Sequence, residues 1–281
     1  MLSHQTTVQF VDHLFSSGRW TQLQWLQSEH LEDGMAPDAR AFYDGENQKG
    51  VEQWKGALQE AQHKDQILML HFHPFFPVPA ETILRYINYA NHKTAPPSPE
   101  NFSMVPDDLL LTPGTVPILN IRHPKLVVPS TWRTLNKMGL PHGAGRPNFL
   151  IVTSHIWSRA LYDYFLSKGI EPLVVDADDF MTSEEFVRHL CSKAGLDPDQ
   201  AYFSWPTDGD KDKHHPMYYA SQSTLLNSAG PNAALAAKNK DLAKEEAEWA
   251  TEFGDDLPLV REMVELAMPH YEYLHERRLR L

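Results

Sequence analysis

Two short stretches hold the residues whose types and spacing could do chemistry. In LMLHFHPFF, residues 68–76, two histidines stand two apart at the end of an apolar run. Side chains alternate along a strand, so His71 and His73 are expected on one face. A neutral imidazole is an effective proton acceptor near neutral pH. The same pair also suits a buried, hydrogen-bonded role or half of a metal site. No carboxylate or third histidine stands at a convincing local spacing, so no metal is expected. In ILNIRHPKLVVPS, residues 118–130, Arg122 leaves an apolar run, a proline-initiated helix follows, and Ser130 lies inside it. A forked guanidinium and a hydroxyl so placed can clamp a phosphate. The spacing is equally well met if Arg122 pairs with a carboxylate and Ser130 bonds back to its own helix.

The elements that must position these groups follow from periodicity. ILMLHFH from Ile67, VPILNI and EPLVVDA read as buried strands. Pro74, Pro77 and Pro79 end the first of them, because proline brings no N–H to a ladder. VQFVDHLF reads as a helix, RWTQLQWLQ is left without a state, and GVEQWKGALQEAQH, AETILRYINYAN and PKLVVPSTWRTLNKMG read as helices, the last kinked at Pro129. PNFLIVTSHIWSRALYDYFLSKG reads as one long helix closed at Gly169, and SEEFVRHLCSKAGLD as a helix capped by Ser183. The proline-rich stretch 94–114 is expected to be a loop lying over a pocket, and 207–216 a surface loop. Two amphipathic helices finish the chain. Short strands alternating with longer helices predict an α/β fold, a parallel sheet flanked by helices, with ligands beyond the carboxyl ends of the strands.

IRHPKLVVPSTWR resembles the 3′-phosphate-binding segment of the sulfotransferase superfamily, whose pattern is strand, Arg, Asp or His, Pro, five residues and Ser. Arg122, His123, Pro124 and Ser130 carry the match. PLVVDADDFMTSEEFVRHLCSKAGLDPD is similar to that superfamily's strand–Asp–helix segment, and EEAEWATEFGDD and MPHYEYLHERRLRL to the end of its fungal-type branch. The resemblance extends roughly from Ala41 to Leu281. It implies a P-loop sulfotransferase-like domain over residues 1–281, with 1–40 divergent, a degenerate first βα unit, and 232–281 a C-terminal helical extension. It also implies that His73 stands in the place of the base that takes a proton from the acceptor hydroxyl. His71 takes the place of a lysine that steadies the bridging oxygen. Arg122 and Ser130 would then be a vestigial 3′-phosphate site. The Pro–Arg–Ser–Gly loop that holds the 5′-phosphosulfate in that superfamily is not visible in MLSHQTTVQF.

Three functions follow as expectations. The first is an enzyme repurposed to His71/His73 acid/base chemistry, of isomerase, lyase or cyclase type, on a natural-product-like metabolite of secondary metabolism, needing no cofactor. The second is a sulfotransferase using 3′-phosphoadenylyl sulfate through a divergent donor loop. The third is a non-catalytic scaffold or partner protein. Arg133, Trp132, Tyr86, Tyr89 and His123 lie near the motifs but suit packing at least as well, and Trp20 and Trp25 could roof the pocket.

Composition narrows the partners. The chain has 281 residues, 42% of them apolar and 22% charged, with a formal net charge of −12. Its scattered Lys and Arg make no basic stripe, so neither nucleic acid nor an anionic membrane is an expected partner. A small organic substrate is expected, with a homodimer open. One cysteine, Cys191, excludes an internal disulfide and sits in a helical pattern as a core residue. With no apolar run of membrane-spanning length and no secretory pattern at the start, a cytoplasmic location is expected.

Overall fold

The computed structural model describes residues 2–92, 99–214 and 216–281. The chain divides into two compact units, one of residues 2–117 and 157–172, the other of 118–156 and 173–281. Its elements are mostly helical, with small parallel sheets, a mixed α/β architecture. The single parallel sheet expected from the sequence is replaced, among the described residues, by two separate two-stranded pairs. Among those residues no helix is long and apolar enough to cross a membrane.

The first unit opens on β1 (Val8–Val11), which pairs in parallel with β2 (Ile67–Leu70). The helix expected over residues 8–15 is therefore a strand and a turn. Val8, Val11 and Phe15 do fall at helical spacing, but the backbone of β1 is satisfied by β2 instead. Between the strands lie α1 (Arg19–Leu26) and α2 (Pro37–His63). Pro37 starts α2 where its missing N–H costs nothing, thirteen residues ahead of the expected start at Gly50. After β2 come α3 (Ala80–Ala90) and the one-turn α4 (Asp107–Leu110). The expected loop over 94–114 lies partly outside the described residues, and its later part contains α4.

This unit's core gathers Leu14, Phe15, Val51, Trp54, Phe76, Val105, Leu109, Leu110, Tyr164 and Phe165. Phe15 adopts a left-handed backbone, φ 68°, which turns its ring inward against α2. Gly50 makes the space, since a Cβ there would lie 2.3 Å from Phe15 Cδ1. Tyr86 stacks on Trp157 with ring centroids 4.3 Å apart, so its ring is core packing.

The second unit is built on β3 (Ile118–Ile121) and β4 (Leu173–Asp176), again parallel. α5 (Pro124–Lys137) follows β3 and runs on through Pro129. The long helix expected over 147–169 is broken into α6 (Arg146–Thr153), in this unit, and α7 (Ile156–Ser167), which from Trp157 onward belongs to the first, with Ser154 extended between them. Gly169 has the expected left-handed backbone just beyond α7, φ 77°. After β4 come α8 (Ala177–Thr182), α9 (Glu184–Lys193), α10 (Pro216–Leu226), α11 (Leu242–Phe253) and α12 (Leu257–Glu276). Ser183 caps α9, its hydroxyl accepting from the Phe186 N–H, and Cys191 is fully buried in that helix. Arg133 forms a fork with Glu252, and Trp132 Nε1 donates to Asp256, so both tie α5 to the C-terminal helices.

Gly50→Ala should destabilise the protein by about 1–3 kcal/mol through overpacking against Phe15, despite the roughly 1 kcal/mol that alanine gains in a helix interior. Gly45→Ala, in the same helix with nothing within 4 Å of the added carbon, should stabilise it. Urea unfolding of the two variants measures the opposite signs.

Candidate functional site

β2 ends at Leu70, and the next residues leave the ladder without leaving order. The His71 N–H donates to the Val11 carbonyl at 2.9 Å, and the Leu14 N–H returns a bond to the His71 carbonyl at 3.3 Å. Beyond His71 the prolines remove the donors a strand would need, so side chains satisfy the carbonyls. Buried Gln22 donates from Nε2 to Phe75 O at 2.8 Å and to the Tyr43 hydroxyl at 3.1 Å. The Tyr43 hydroxyl lies 2.6 Å from Phe76 O and 2.8 Å from Val78 O and shares its proton between them. Burial pushes the Tyr43 phenol up to about 12, so it stays a donor.

This frame brings the two expected histidines together, with ring centroids 5.8 Å apart. His73 stacks on Phe75 at 5.3 Å and meets Phe76 edge-on at 5.0 Å. Its side chain is solvent-exposed, yet burial, followed by the neighbouring His71, His13 and Arg19, lowers its pKa to about 4. His73 is accordingly neutral near pH 7.

The sequence reading missed a partner on the other strand. Asp12 Oδ1 lies 2.6 Å from His71 Nδ1. With that nitrogen donating to the carboxylate, Nε2 is left as the acceptor. His13 completes the group: its Nε2 is 3.5 Å from Asp12 Oδ2, and its ring centroid 5.6 Å from that of His71. The His13 backbone is left-handed, φ 54°. A cleft of about 290 Å³ is lined by Asp12, His13, Ser16, Ser17, Glu46 and Lys49 among others, but not by His71 or His73. The only hint in the sequence was an Asp-His pair directly after VQFV, which becomes informative once VQFV is known to lie beside β2.

Arg122 and Ser130 belong to the other unit, and among the described residues no hydrogen bond joins them. The Arg122 guanidinium donates from Nη2 to Leu235 O at 3.2 Å, while its Nε is buried without a partner. Burial lowers its pKa, opposed by the charges of Asp178 and Asp176. Asp176, at the end of β4, is buried and accepts from the Tyr271 hydroxyl at 2.8 Å. His155, in the break between α6 and α7, is buried with Nε2 donating to the Arg122 carbonyl at 2.8 Å. Its neutral form is favoured chiefly by burial. For a 3′-phosphate, the spare Arg122 Nε fits and the two nearby carboxylates do not.

No family model matches the chain, and no solved structure does. Two curated relatives are similar over most of it. Sulfotransferase ppzF of Metarhizium majus is 33% identical over 209 residues, covering 69% of this chain and 60% of the relative. Sulfotransferase ppzF of Metarhizium rileyi is 31% identical over 221 residues, covering 73% of this chain and 64% of the relative. The chain belongs to a sulfotransferase-like superfamily. It spans less than two thirds of the length of these sulfotransferases.

Two outcomes test the residues that support each group, Tyr43 in the first unit and His155 in the second. Tyr43→Phe, which strips the hydroxyl from two buried carbonyls and an amide, should cost about 1–3 kcal/mol in urea unfolding. His155 has a folded pKa below its unfolded 6.5, so the unfolded chain binds more protons as pH falls below 6.5. Stability must drop with falling pH across the window beneath 6.5. The loss between pH 7.5 and pH 5 should be smaller in His155→Gln than in the parent protein, and an equal loss would mean that His155 is not the source.

Proposed function

We propose that the chain modifies a small organic molecule by proton transfer at His73, with His71 held beside it by Asp12. The observation that carries this reading is the array Asp12–His71–His73: a 2.6 Å carboxylate–imidazole contact, then a second imidazole whose ring centroid is 5.8 Å away. His73 is neutral, accessible and backed by Phe75 and Phe76, which suits a base that receives a proton from a hydroxyl or an activated C–H. Asp12 fixes the His71 tautomer, leaving Nε2 to accept or return a proton. Together they support an isomerisation, elimination or cyclisation of a natural-product-like metabolite. Both imidazoles are solvent-exposed, as proton transfer to a bound molecule requires.

The second reading is sulfuryl transfer, favoured by the similarity to two sulfotransferases and by the unpartnered Nε of Arg122. In it His73 keeps the same task, taking the proton of the acceptor hydroxyl, and 3′-phosphoadenylyl sulfate supplies the sulfuryl group. Two features weigh the other way. His71 stands where the superfamily resemblance places a permanent cation, and Asp176 and Asp178 bring negative charge to Arg122, where a phosphate would have to bind.

His73→Ala should lower turnover by about 10²–10⁴-fold, the usual contribution of one positioned proton carrier. Retained activity in a folded His73→Ala protein would remove both readings at once. Calorimetry with adenosine 3′,5′-bisphosphate separates them. Saturable binding that is lost in Arg122→Ala selects sulfuryl transfer, and the absence of binding selects the cofactor-free chemistry.

A further inference from the structure

Asp12 and His71, which the proposed proton transfer uses, form a cluster with His13, which it does not use. One ligand atom from each lies within 4.8 Å of the other two. The carboxylate divides its oxygens between the rings, Oδ1 towards His71 Nδ1 at 2.6 Å and Oδ2 towards His13 Nε2 at 3.5 Å. We infer that these three side chains are a binding site for a divalent first-row transition ion of the zinc type. Two imidazoles and one carboxylate form a donor set of borderline softness suited to Zn²⁺, Co²⁺ or Fe²⁺ and poorly suited to Ca²⁺ or Mg²⁺. This departs from the expectation, drawn from local spacing, that no metal binds.

The geometry is near that of a loaded site. Donors at bond lengths of about 2.0–2.1 Å around a tetrahedral ion stand about 3.3 Å apart. The two carboxylate–imidazole contacts, one from each oxygen, lie on either side of that separation, and no pair of ligand atoms must close by more than about 1.5 Å. The side chains are partly exposed, at 43% for Asp12, 34% for His13 and 47% for His71. Their backbones are held. The Asp12–Leu14 turn is anchored to His71 by the two main-chain bonds at the end of the ladder, and Ser16 N–H donates to the His13 carbonyl at 3.2 Å. The His13 N–H also donates to Asp12 Oδ1 at 2.9 Å, orienting the carboxylate as the outer partners of metal ligands do. Three protein ligands leave a position open to the cleft that Asp12 and His13 line. An open fourth position is the mark of an ion that meets a substrate or a water rather than one that only staples a fold.

The site shares Asp12 and His71 with the proton-transfer reading but not His73, so metal binding is read by titration and proton transfer by the turnover of His73→Ala, and either can fail alone. The test is a titration of the chelator-stripped full chain with Co²⁺, followed by d–d absorption and by calorimetry, and repeated with Zn²⁺ in competition. One saturable site per chain is expected, with zinc displacing cobalt. His13→Ala and His71→Ala should each weaken it by at least about 100-fold, and Asp12→Asn, which keeps the shape and removes the charge, should also lose the spectrum. His142→Ala, an exposed histidine paired with Asp256, should bind as the parent does. Far-ultraviolet circular dichroism without metal verifies that each variant is folded. Cobalt binding unchanged in the folded His13→Ala/His71→Ala protein would place the ion elsewhere and overturn the assignment, as would a parent protein with no saturable site.

Discussion

The register between β1 and β2 governs the chemistry of the first unit. Val8 pairs with Ile67 and Val11 with Leu70, so each residue of one strand faces the residue 59 positions later. Carried one step past the strands, the same offset sets Asp12 beside His71. The ladder's last bonds enforce that step, because the His71 N–H is held by Val11 and the Leu14 N–H by His71 itself. A slip of one residue would put Val11 where the carboxylate now stands and invert every side chain of the short strand. Four-residue strands hold little register energy of their own, so the apolar packing of Leu14 and Phe15 against α2 must supply the rest.

Past His71 the support changes from backbone pairing to side chains. A proline-rich segment inside a protein leaves carbonyls that no neighbouring strand can reach, and burying them unpaired costs more than a typical hydrogen bond returns. Gln22 and Tyr43 answer this from α1 and α2, each donating to a carbonyl of residues 75–78. The aromatic wall of Phe75 and Phe76 is thereby fixed against His73. The low basicity of His73 is a consequence of the same arrangement, since the rings that position it also displace the water that would solvate its cation.

What the sequence made legible was local. β2, β3 and β4 were continuous apolar runs, the Ser183 cap obeyed its hydrogen-bonding chemistry, and the C-terminal helices showed their periodicity. His71 and His73 were found because both lie in one such run. β1 was misread because four residues cannot distinguish a strand from a helix turn, and Val8, Val11 and Phe15 met the helical template by chance. The break at Ser154–His155 was hidden in an apolar stretch with no proline or glycine to announce it. The Ser154 hydroxyl caps the next helix by accepting from the Ile156 N–H, and a tertiary hold adds to it, His155 donating to the Arg122 carbonyl. Asp12 and His13 were invisible as partners of His71 for the same reason: their proximity is made by strand pairing across 59 residues, which no local pattern records.

The charge at His71 is where the two proposals meet. The superfamily resemblance places a lysine there, a fixed +1 beside the oxygen on which negative charge develops. An imidazole bonded to Asp12 supplies no such charge: neutral, it leaves the carboxylate's −1, and protonated, it only cancels it. Proton exchange remains within its reach, and stabilisation of a leaving anion does not. A divalent ion held by Asp12, His13 and His71 would change that sum, because +2 on a single carboxylate leaves +1 at the position where the resemblance expects it. An ion on the His71 Nδ1 would also put the ring's proton on Nε2, removing its acceptor and leaving His73 as the base. The identity of the electrophile, metabolite or sulfuryl group, then turns on whether this corner of the site is charge-neutral or cationic in the working protein.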